Sequence, residues 1–197
     1  MASTDANPPA LSPRFEDALQ HAARLHATQK RKGTAIPYMA HLMSVAALVL
    51  EDGGDEDEAI AALLHDAVED QGGPPTLEGI RRRFGARVAR IVDGCTDADT
   101  LPKPPWRQRK EQYLARLRHA PAEVRRVLAA DKLHNARAIL ADFRRVGDVL
   151  WERFNGDRDG TLWYYRSLVT ALHDTGSGVI VEELDRIVTE LERLVSS

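Results

Sequence analysis

The chain has 197 residues, 43% of them hydrophobic and 29% charged, with a formal net charge of −3. This length supports one domain with its own core, and the charge lacks the basic excess that is typical of nucleic-acid binders. The single cysteine, Cys95, excludes an intrachain disulfide and favours a reducing compartment. No apolar run approaches the roughly 20 residues that span a bilayer, and the first residues lack the pattern of a signal peptide. We therefore expect a cytoplasmic protein that binds neither nucleic acid nor membrane.

Apolar residues recur at helical spacing along most of the chain and do not alternate as they would in a strand. Residues 1–11 are rich in Pro, Ala and small polar residues, which predicts a flexible tail ahead of one domain over residues 12–197. Capping signals support helix starts at Ser12, followed by Pro13, and at Asp55, which forms a capping box with Glu58. The expected helices run, in chain order, from Ser12 to Leu25, over Met39–Leu50, through Ala59–Asp70, from a Thr76 cap to Phe84, and over Ala86–Val92, Trp106–Leu117, Ala122–Leu140, Gly160–His173 and Val179–Val195.

Three segments break the helical pattern. Residues 28–37 and 97–105 are predicted loops, and residues 143–159 are expected to form a short helix followed by a mobile loop. The pattern as a whole predicts an all-α domain of nine or ten helices.

Four titratable residues follow the apolar segment Ala59–Leu64 in close succession. Because positions four apart share a face of a helix, we expect His65 to pair with Glu69 and Asp66 with Asp70. Such groups beside a buried segment are costly unless something satisfies them, and a bound cation would do so. Histidine nitrogen and aspartate oxygen together suit zinc, manganese or iron better than calcium or magnesium.

Two further candidate ligands lie elsewhere in the chain. His41 is near the start of the second predicted helix, and Asp131 interrupts an otherwise apolar helix. With His65 and Asp66 they form a His, His, Asp, Asp set from three helices, which would hold one metal ion and leave positions open for water and substrate. A second His-Asp pair, His173-Asp174, lies at a helix end without following carboxylates, and we expect it to be a surface feature or cap.

The ordered motifs resemble the hydrolase domain of Rel/Spo-type alarmone enzymes, and most closely the stand-alone small alarmone hydrolases, which have the HD-domain helical fold. The similarity runs from about Phe15 to His173. It rests on residues 29–33 (QKRKG), 37–41 (PYMAH), 61–70 (AALLHDAVED), 84–85 (FG), 94–96 (GCT) and 130–135 (ADKLHN).

The resemblance implies one manganese ion, held by His41, His65, Asp66 and Asp131. It also implies hydrolysis of the 3′-pyrophosphate of guanosine tetra- or pentaphosphate, with release of pyrophosphate. In the family, the residues that match Glu69 and Asp70 position or activate the attacking water.

The same resemblance implies a nucleotide substrate and gives substrate-binding residues. Arg31 would lie against the base or phosphates, Lys32 would steady substrate charge, and Asn135 would contact the ribose or phosphate side. Tyr164 is a candidate for stacking or hydrogen bonding to the nucleotide. Of the other histidines, His134 is expected to pack or hydrogen-bond beside the metal site, whereas His21 and His26 are expected to face solvent.

Two departures from the family pattern leave other functions open. Leu42 follows His41 where the family usually has proline, and the basic loop has an extra residue within Gly33–Ile36. Since that loop shapes the base pocket in relatives, the substrate could instead be an adenosine alarmone, NADPH or a nucleoside monophosphate. A sensor that binds nucleotide without turnover and a homo-oligomeric state also stay open.

Overall fold

The computed structural model describes residues 11–96, 104–176 and 178–196. These residues form ten α-helices and one 3-10 helix, and their only β-type pairing is an isolated antiparallel bridge between Lys30 and Pro37. The all-α prediction is confirmed. The helices are α1 (Pro13–Leu25), α2 (Met39–Glu51), α3 (Glu56–Leu64), α4 (Ala67–Asp70), α5 (Pro74–Phe84), α6 (Ala86–Cys95), α7 (Trp106–His119), α8 (Ala122–Val146), the 3-10 helix Gly147–Arg153, α9 (Asp157–His173) and α10 (Val179–Val195).

Two helices form the centre of the domain. The long helix α8 packs against α2, α3, α6, α9 and α10, and α3 packs against α1, α2 and α6. Residues 59–64 of α3 have no exposed surface at all, as expected for a helix that is apolar on every side. Three of the four candidate ligands lie at the end of one central helix and in the middle of the other, where packing fixes their backbone, and the fourth, His41, lies in α2.

Several predicted helix starts agree with the structure, and one does not. The Ser12 hydroxyl accepts a hydrogen bond from the Arg14 amide, and Asp55 and Glu58 form the predicted capping box. Helix α5 begins at Pro74 and not at a Thr76 cap, because proline fits the first turn of a helix. The Thr76 hydroxyl instead donates to the Gln71 carbonyl.

The prediction of one continuous helix through Asp70 is wrong. The helix is interrupted at His65 and Asp66, which separate α3 from α4. Adjacent residues of an intact α-helix point about 100° apart around its axis. Across this interruption, His65 Nε2 and Asp66 Oδ2 nevertheless lie 3.0 Å apart. The pairing of His65 with Glu69 stays a prediction.

The segment 143–159 contains the expected short helix, but most of the rest of it is helical too and does not form a loop. Helix α8 continues to Val146, the 3-10 helix follows, and α9 begins at Asp157. The expectation of a mobile loop is therefore corrected, since only three residues separate these helices. Leu150 and Trp151 are buried, and the Trp151 ring packs against Phe143 and Phe154, which anchors the segment. Most of the predicted 97–105 loop and the predicted tail lie outside the described residues.

Among the described residues, no helix combines the length and apolar character needed to cross a bilayer.

A pair of glycine substitutions tests how tightly the turn after α2 packs on that helix. A Cβ atom on Gly54 would lie 2.6 Å from Val49 Cγ1 and 2.8 Å from the Val49 carbonyl oxygen. We expect Gly54→Ala to lower the free energy of unfolding by about 1–3 kcal/mol through overpacking. Gly79→Ala meets nothing within 4 Å inside α5 and is expected to stabilise by about 0.5–1 kcal/mol. Urea denaturation measures both, and equal effects would contradict the packing.

Candidate active site

The four predicted metal ligands come together from three places in the fold. His41 lies in the first turn of α2, His65 and Asp66 at the α3–α4 break, and Asp131 in the middle of α8. Both histidines and Asp131 are at most 5% exposed. The donor atoms of His41, His65 and Asp66 lie within 4.8 Å of one another. Asp131 Oδ1 is 3.2 Å from His41 Nε2 and 3.8 Å from His65 Nε2.

The hydrogen bonding of His65 tests whether this cluster fits a cation. His65 Nδ1 lies 2.8 Å from the Ala62 carbonyl oxygen, and a carbonyl only accepts, so Nδ1 carries the proton in the neutral ring. The lone pair of Nε2 then points towards Asp66 and Asp131. This buried Nε2 makes no hydrogen bond within the described residues. An orphaned nitrogen beside two carboxylate oxygens fits a divalent cation.

His134 orients His41 through a ring-to-ring hydrogen bond. The two Nδ1 atoms are 2.8 Å apart. Burial, His41 and Arg31 lower the pKa of His134 to about 4, so its ring is neutral and can accept the proton of His41 Nδ1. With the His41 proton on Nδ1, His41 Nε2, which faces Asp131, is the atom available to bind a metal. The expectation that His134 hydrogen-bonds beside the site is confirmed.

Both carboxylates of the cluster are held in the ionised form that binds cations. Burial alone would raise their pKa, but His65 and Tyr38 hold the pKa of Asp66 below its ordinary range. Lys132, His41 and His65 lower the pKa of Asp131 well below that range in the same way. Burial lowers the pKa of His65, but the same two carboxylates raise it by more. A bound cation would compete with the proton that His65 takes up.

Asp66 is further fixed by a tyrosine outside the ligand set. The Tyr38 hydroxyl donates to Asp66 Oδ2 at 2.5 Å, and the ring stacks on His26 with centroids 5.4 Å apart. Such outer partners orient a metal ligand and raise its affinity.

Removal of this hydroxyl is therefore expected to weaken metal binding. Tyr38→Phe keeps the ring stack and should lower affinity for a divalent cation by about 10- to 100-fold, the usual effect of losing an outer partner. Tyr165→Phe removes a hydroxyl from another buried tyrosine and should leave metal affinity unchanged. Calorimetric titration of the metal-free proteins measures both, and an unchanged affinity in Tyr38→Phe would exclude this role.

One cavity adjoins the cluster, and a second cavity lies next to the first. The first, about 340 Å³, contains His65, Asp66 and Asp131 in its wall, together with Cys95 and Glu69. Its remaining wall is basic and aromatic: Lys32, Trp106, Arg109, Lys110, Tyr113, Lys132, Phe154 and Asn155. The second cavity, about 480 Å³, is more apolar and includes Ile36, Ile139 and Leu150. Lys32 and Phe154 line both cavities, which are therefore adjacent.

The two residues of the predicted catalytic pair have different surroundings. Glu69 lines the first cavity, whereas Asp70 is absent from the lining of both. Asp70 Oδ2 instead accepts a hydrogen bond from Gln29 Nε2 at 2.7 Å. Burial, Asp66 and Glu69 raise the pKa of Asp70, and the Gln29 bond opposes them.

Three of the four predicted substrate-binding residues reach the cavities. Arg31 donates to Asn135 Oδ1 at 2.8 Å, and Asn135 donates to Asp131 Oδ1 at 2.6 Å, which links the larger cavity to the metal ligands. Lys32 lies between the cavities. Tyr164 is buried among aromatic rings behind the first cavity, and the adjacent Tyr165 lines the second. Substrate contact by Tyr164 stays a prediction.

The structure also adds site residues that the sequence patterns did not single out. Arg109, Lys110 and Tyr113 come from α7, and Lys132 Nζ contacts Asp131 Oδ2 at 2.6 Å. Lys132 had a usable signal, because it is a charged neighbour of a predicted ligand inside an apolar helix.

The expectation that His26 faces solvent is wrong, because only 2% of it is exposed. It continues the four-residue spacing of the buried Ala18 and Ala22, a signal that would have placed it on the buried face. His21 is half-buried and contacts Arg83. The control pair behaves as expected, since His173 and Asp174 lie at the exposed end of α9.

Comparison with known proteins gives a consistent result. Residues 18–162 match the family model described as HD domain. Over 138 residues the chain is 39% identical to the Mus musculus guanosine-3′,5′-bis(diphosphate) 3′-pyrophosphohydrolase MESH1, covering 68% of this chain and 72% of that protein. The Xenopus tropicalis protein of the same name is 40% identical over the same shares.

A solved structure shares the fold over almost the whole length. It is described as "A metazoan ortholog of SpoT hydrolyzes ppGpp and plays a role in starvation responses". The two superpose with a TM-score of 0.77 at 28% identity, over 92% of this chain and 97% of the other. On the family match, the relatives and the histidine–aspartate cluster, the chain belongs to the HD-domain family of metal-dependent hydrolases.

Proposed function

We propose that the protein hydrolyses the 3′-pyrophosphate of guanosine tetra- or pentaphosphate and releases pyrophosphate, with one manganese ion as cofactor. The observation that carries the proposal is that three of the four cluster residues, His65, Asp66 and Asp131, line a cavity with a basic wall. The names of the relatives, which describe hydrolysis of this class of compound, support it.

The two cavities match the two parts of such a substrate. A pyrophosphate group needs cations, and Lys32, Arg109, Lys110 and Lys132 supply them around the first cavity. A nucleoside needs a larger and more apolar space with a few polar groups, which the second cavity offers through its aliphatic wall, Arg31 and Asn135. A substrate that occupied both would place its 3′ position near Lys32 and Phe154.

The residues then take distinct parts in the reaction. His41, His65, Asp66 and Asp131 would hold a divalent cation, which would supply Lewis-acid chemistry by neutralising phosphoryl charge and lowering the pKa of water. Glu69, on the cavity wall, accepts a proton from the water that attacks the phosphorus next to the 3′ oxygen. The bond between that oxygen and phosphorus breaks, the 3′ oxygen takes up a proton from protonated Glu69 or from solvent to become the 3′ hydroxyl, and the lysines hold the departing pyrophosphate.

A hydrolysis assay with identified products tests the proposal. The purified protein with manganese is offered guanosine tetraphosphate, its adenosine counterpart and NADPH in parallel. We expect pyrophosphate from the guanosine compound, and loss of that activity on chelation. Orthophosphate from NADPH alone would replace the substrate assignment, and binding without turnover of any of the three would favour a sensor. Zinc, iron and magnesium, tested against manganese on the metal-free protein, check the identity of the ion.

The buried free thiol of Cys95 fits a reducing compartment. With a nucleotide substrate, this supports a cytoplasmic location for the proposed reaction.

A further inference from the structure

Four side chains outside the metal ligands form one hydrogen-bonded network, in which Gln29 connects His26 and Gln71 to Asp70. Gln29 Nε2 donates to Asp70 Oδ2 at 2.7 Å. Because an ionised carboxylate only accepts, the Gln29 oxygen must point the other way. There Gln29 Oε1 accepts from Gln71 Nε2 at 2.6 Å and lies 2.7 Å from His26 Nδ1. The orientation of the Gln29 amide is thus fixed from both sides, with His26 donating through Nδ1.

The segment that this network holds is short and carries Glu69. Helix α4 has only four residues, follows the break at His65-Asp66 and is followed by Gly72-Gly73. One helical turn is unstable on its own, since nucleation of a helix is unfavourable. Ala67 and Val68 pack into the core and hold the apolar side of this turn. The polar side of the turn needs other contacts to hold it in place.

Both ends of α4 are tied to the same pair of residues. The Tyr38 amide donates to the Gln29 carbonyl at 2.9 Å, which closes the basic turn and places the two side chains next to each other. Tyr38 then binds Asp66 at the start of α4, and Gln29 binds Asp70 at its end. The buried ring of His26 contacts both, by stacking on Tyr38 and bonding to Gln29.

We propose that Asp70 is a positioning residue: the His26–Gln29–Asp70 chain fixes α4 so that Glu69 faces the cavity that the candidate metal ligands line. This assigns Asp70 a different role from the direct one that the family resemblance implies. The inference rests on the proposed function only where it takes Glu69 as the group that accepts the proton. Geometry carries it, because Glu69 lines the cavity and Asp70 does not.

A matched pair of variants separates a positioning role from a catalytic one. Asn and Leu have nearly the same shape, but only Asn offers an oxygen to Gln29. We expect Asp70→Asn to keep kcat within about threefold and Asp70→Leu to lower it by about 10- to 100-fold, the usual cost of a misplaced catalytic group. KM should stay within about twofold in both. If Asp70→Asn is as slow as Glu69→Gln, or if Asp70→Leu is as fast as wild type, the proposal is overturned.

A polarity reversal gives an independent check. Gln29→Glu replaces the donor to Asp70 by a second carboxylate and should lower kcat about tenfold or more. Adding Asp70→Asn restores a donor–acceptor pair in the opposite sense and should recover most of that loss. Additive losses in the double variant would contradict a direct coupling.

Amide hydrogen exchange tests the positioning role of Asp70 without any substrate. Exchange across residues 67–71 should be faster in Asp70→Leu than in Asp70→Asn or wild type, with global unfolding unchanged. Equal exchange in the two variants would refute the positioning role even where no substrate is turned over. Failure of the wild-type protein to release pyrophosphate would instead count against the proposed function alone.

Discussion

Asp66→Ala is expected to abolish divalent metal binding and turnover together. Asp66 Oδ2 lies 3.0 Å from His65 Nε2 and 3.7 Å from His41 Nε2, so its loss removes the oxygen that both histidines face. We expect metal affinity to fall more than about 100-fold, beyond the effect of losing an outer partner. The rate should fall about 1,000-fold, since the cation supplies several kcal/mol of charge stabilisation.

The other His-Asp pair provides the control. Asp174→Ala makes the same change at an exposed position and should leave metal content and kcat/KM at wild-type values. Metal analysis of the purified proteins, thermal unfolding in chelator and steady-state kinetics give the comparison. Wild-type turnover in a metal-free Asp66→Ala protein would exclude the metal assignment.

Glu69→Gln should separate catalysis from metal binding. Gln has nearly the same size as Glu and cannot accept a proton, so kcat is expected to fall about 10²- to 10⁴-fold, the range for loss of a general base. Because Glu69 is outside the ligand cluster, metal affinity should match wild type.

The matched control is Glu78→Gln on the exposed face of α5, which should have no effect on kcat. A Glu69→Gln enzyme with wild-type kcat would remove this residue from the reaction. Loss of the metal in that variant would place Glu69 among the ligands instead.

Much of the metal site was predictable because its signals are local. His65, Asp66 and Asp131 are ionisable residues next to apolar helical segments, and such residues need a partner. The break at His65-Asp66 was not predictable by the same means, because neither Gly nor Pro marks it. The interruption is instead compatible with a cation that both side chains would bind. Helix propensity describes the local backbone and carries no information about such a ligand.

The basic wall of the first cavity depends on tertiary packing. Helix α7 was predicted nearly correctly, but its sequence does not state that Arg109 and Lys110 face Asp131. That placement follows from the packing of α7 on α9, where Trp106 meets Trp163 and Tyr113 meets Tyr164 edge to face. The position of Gln29 beside Asp70 likewise depends on the turn between Gln29 and Tyr38. Backbone hydrogen bonds hold that turn, so the identities of Gln29 and Asp70 do not predict that they meet.

The two adjacent cavities have a consequence for the release of products. A substrate of the proposed kind that occupied both would bind as a bivalent ligand, because its nucleoside and its pyrophosphate would each raise the effective concentration of the other. The cavities share Lys32 and Phe154 in their walls, and the bond that is cut would be the tether between the two halves. Hydrolysis would therefore turn one bivalent ligand into two monovalent ones, each held by its own cavity alone. The reaction itself would remove the avidity that held the substrate, so we expect weak product inhibition.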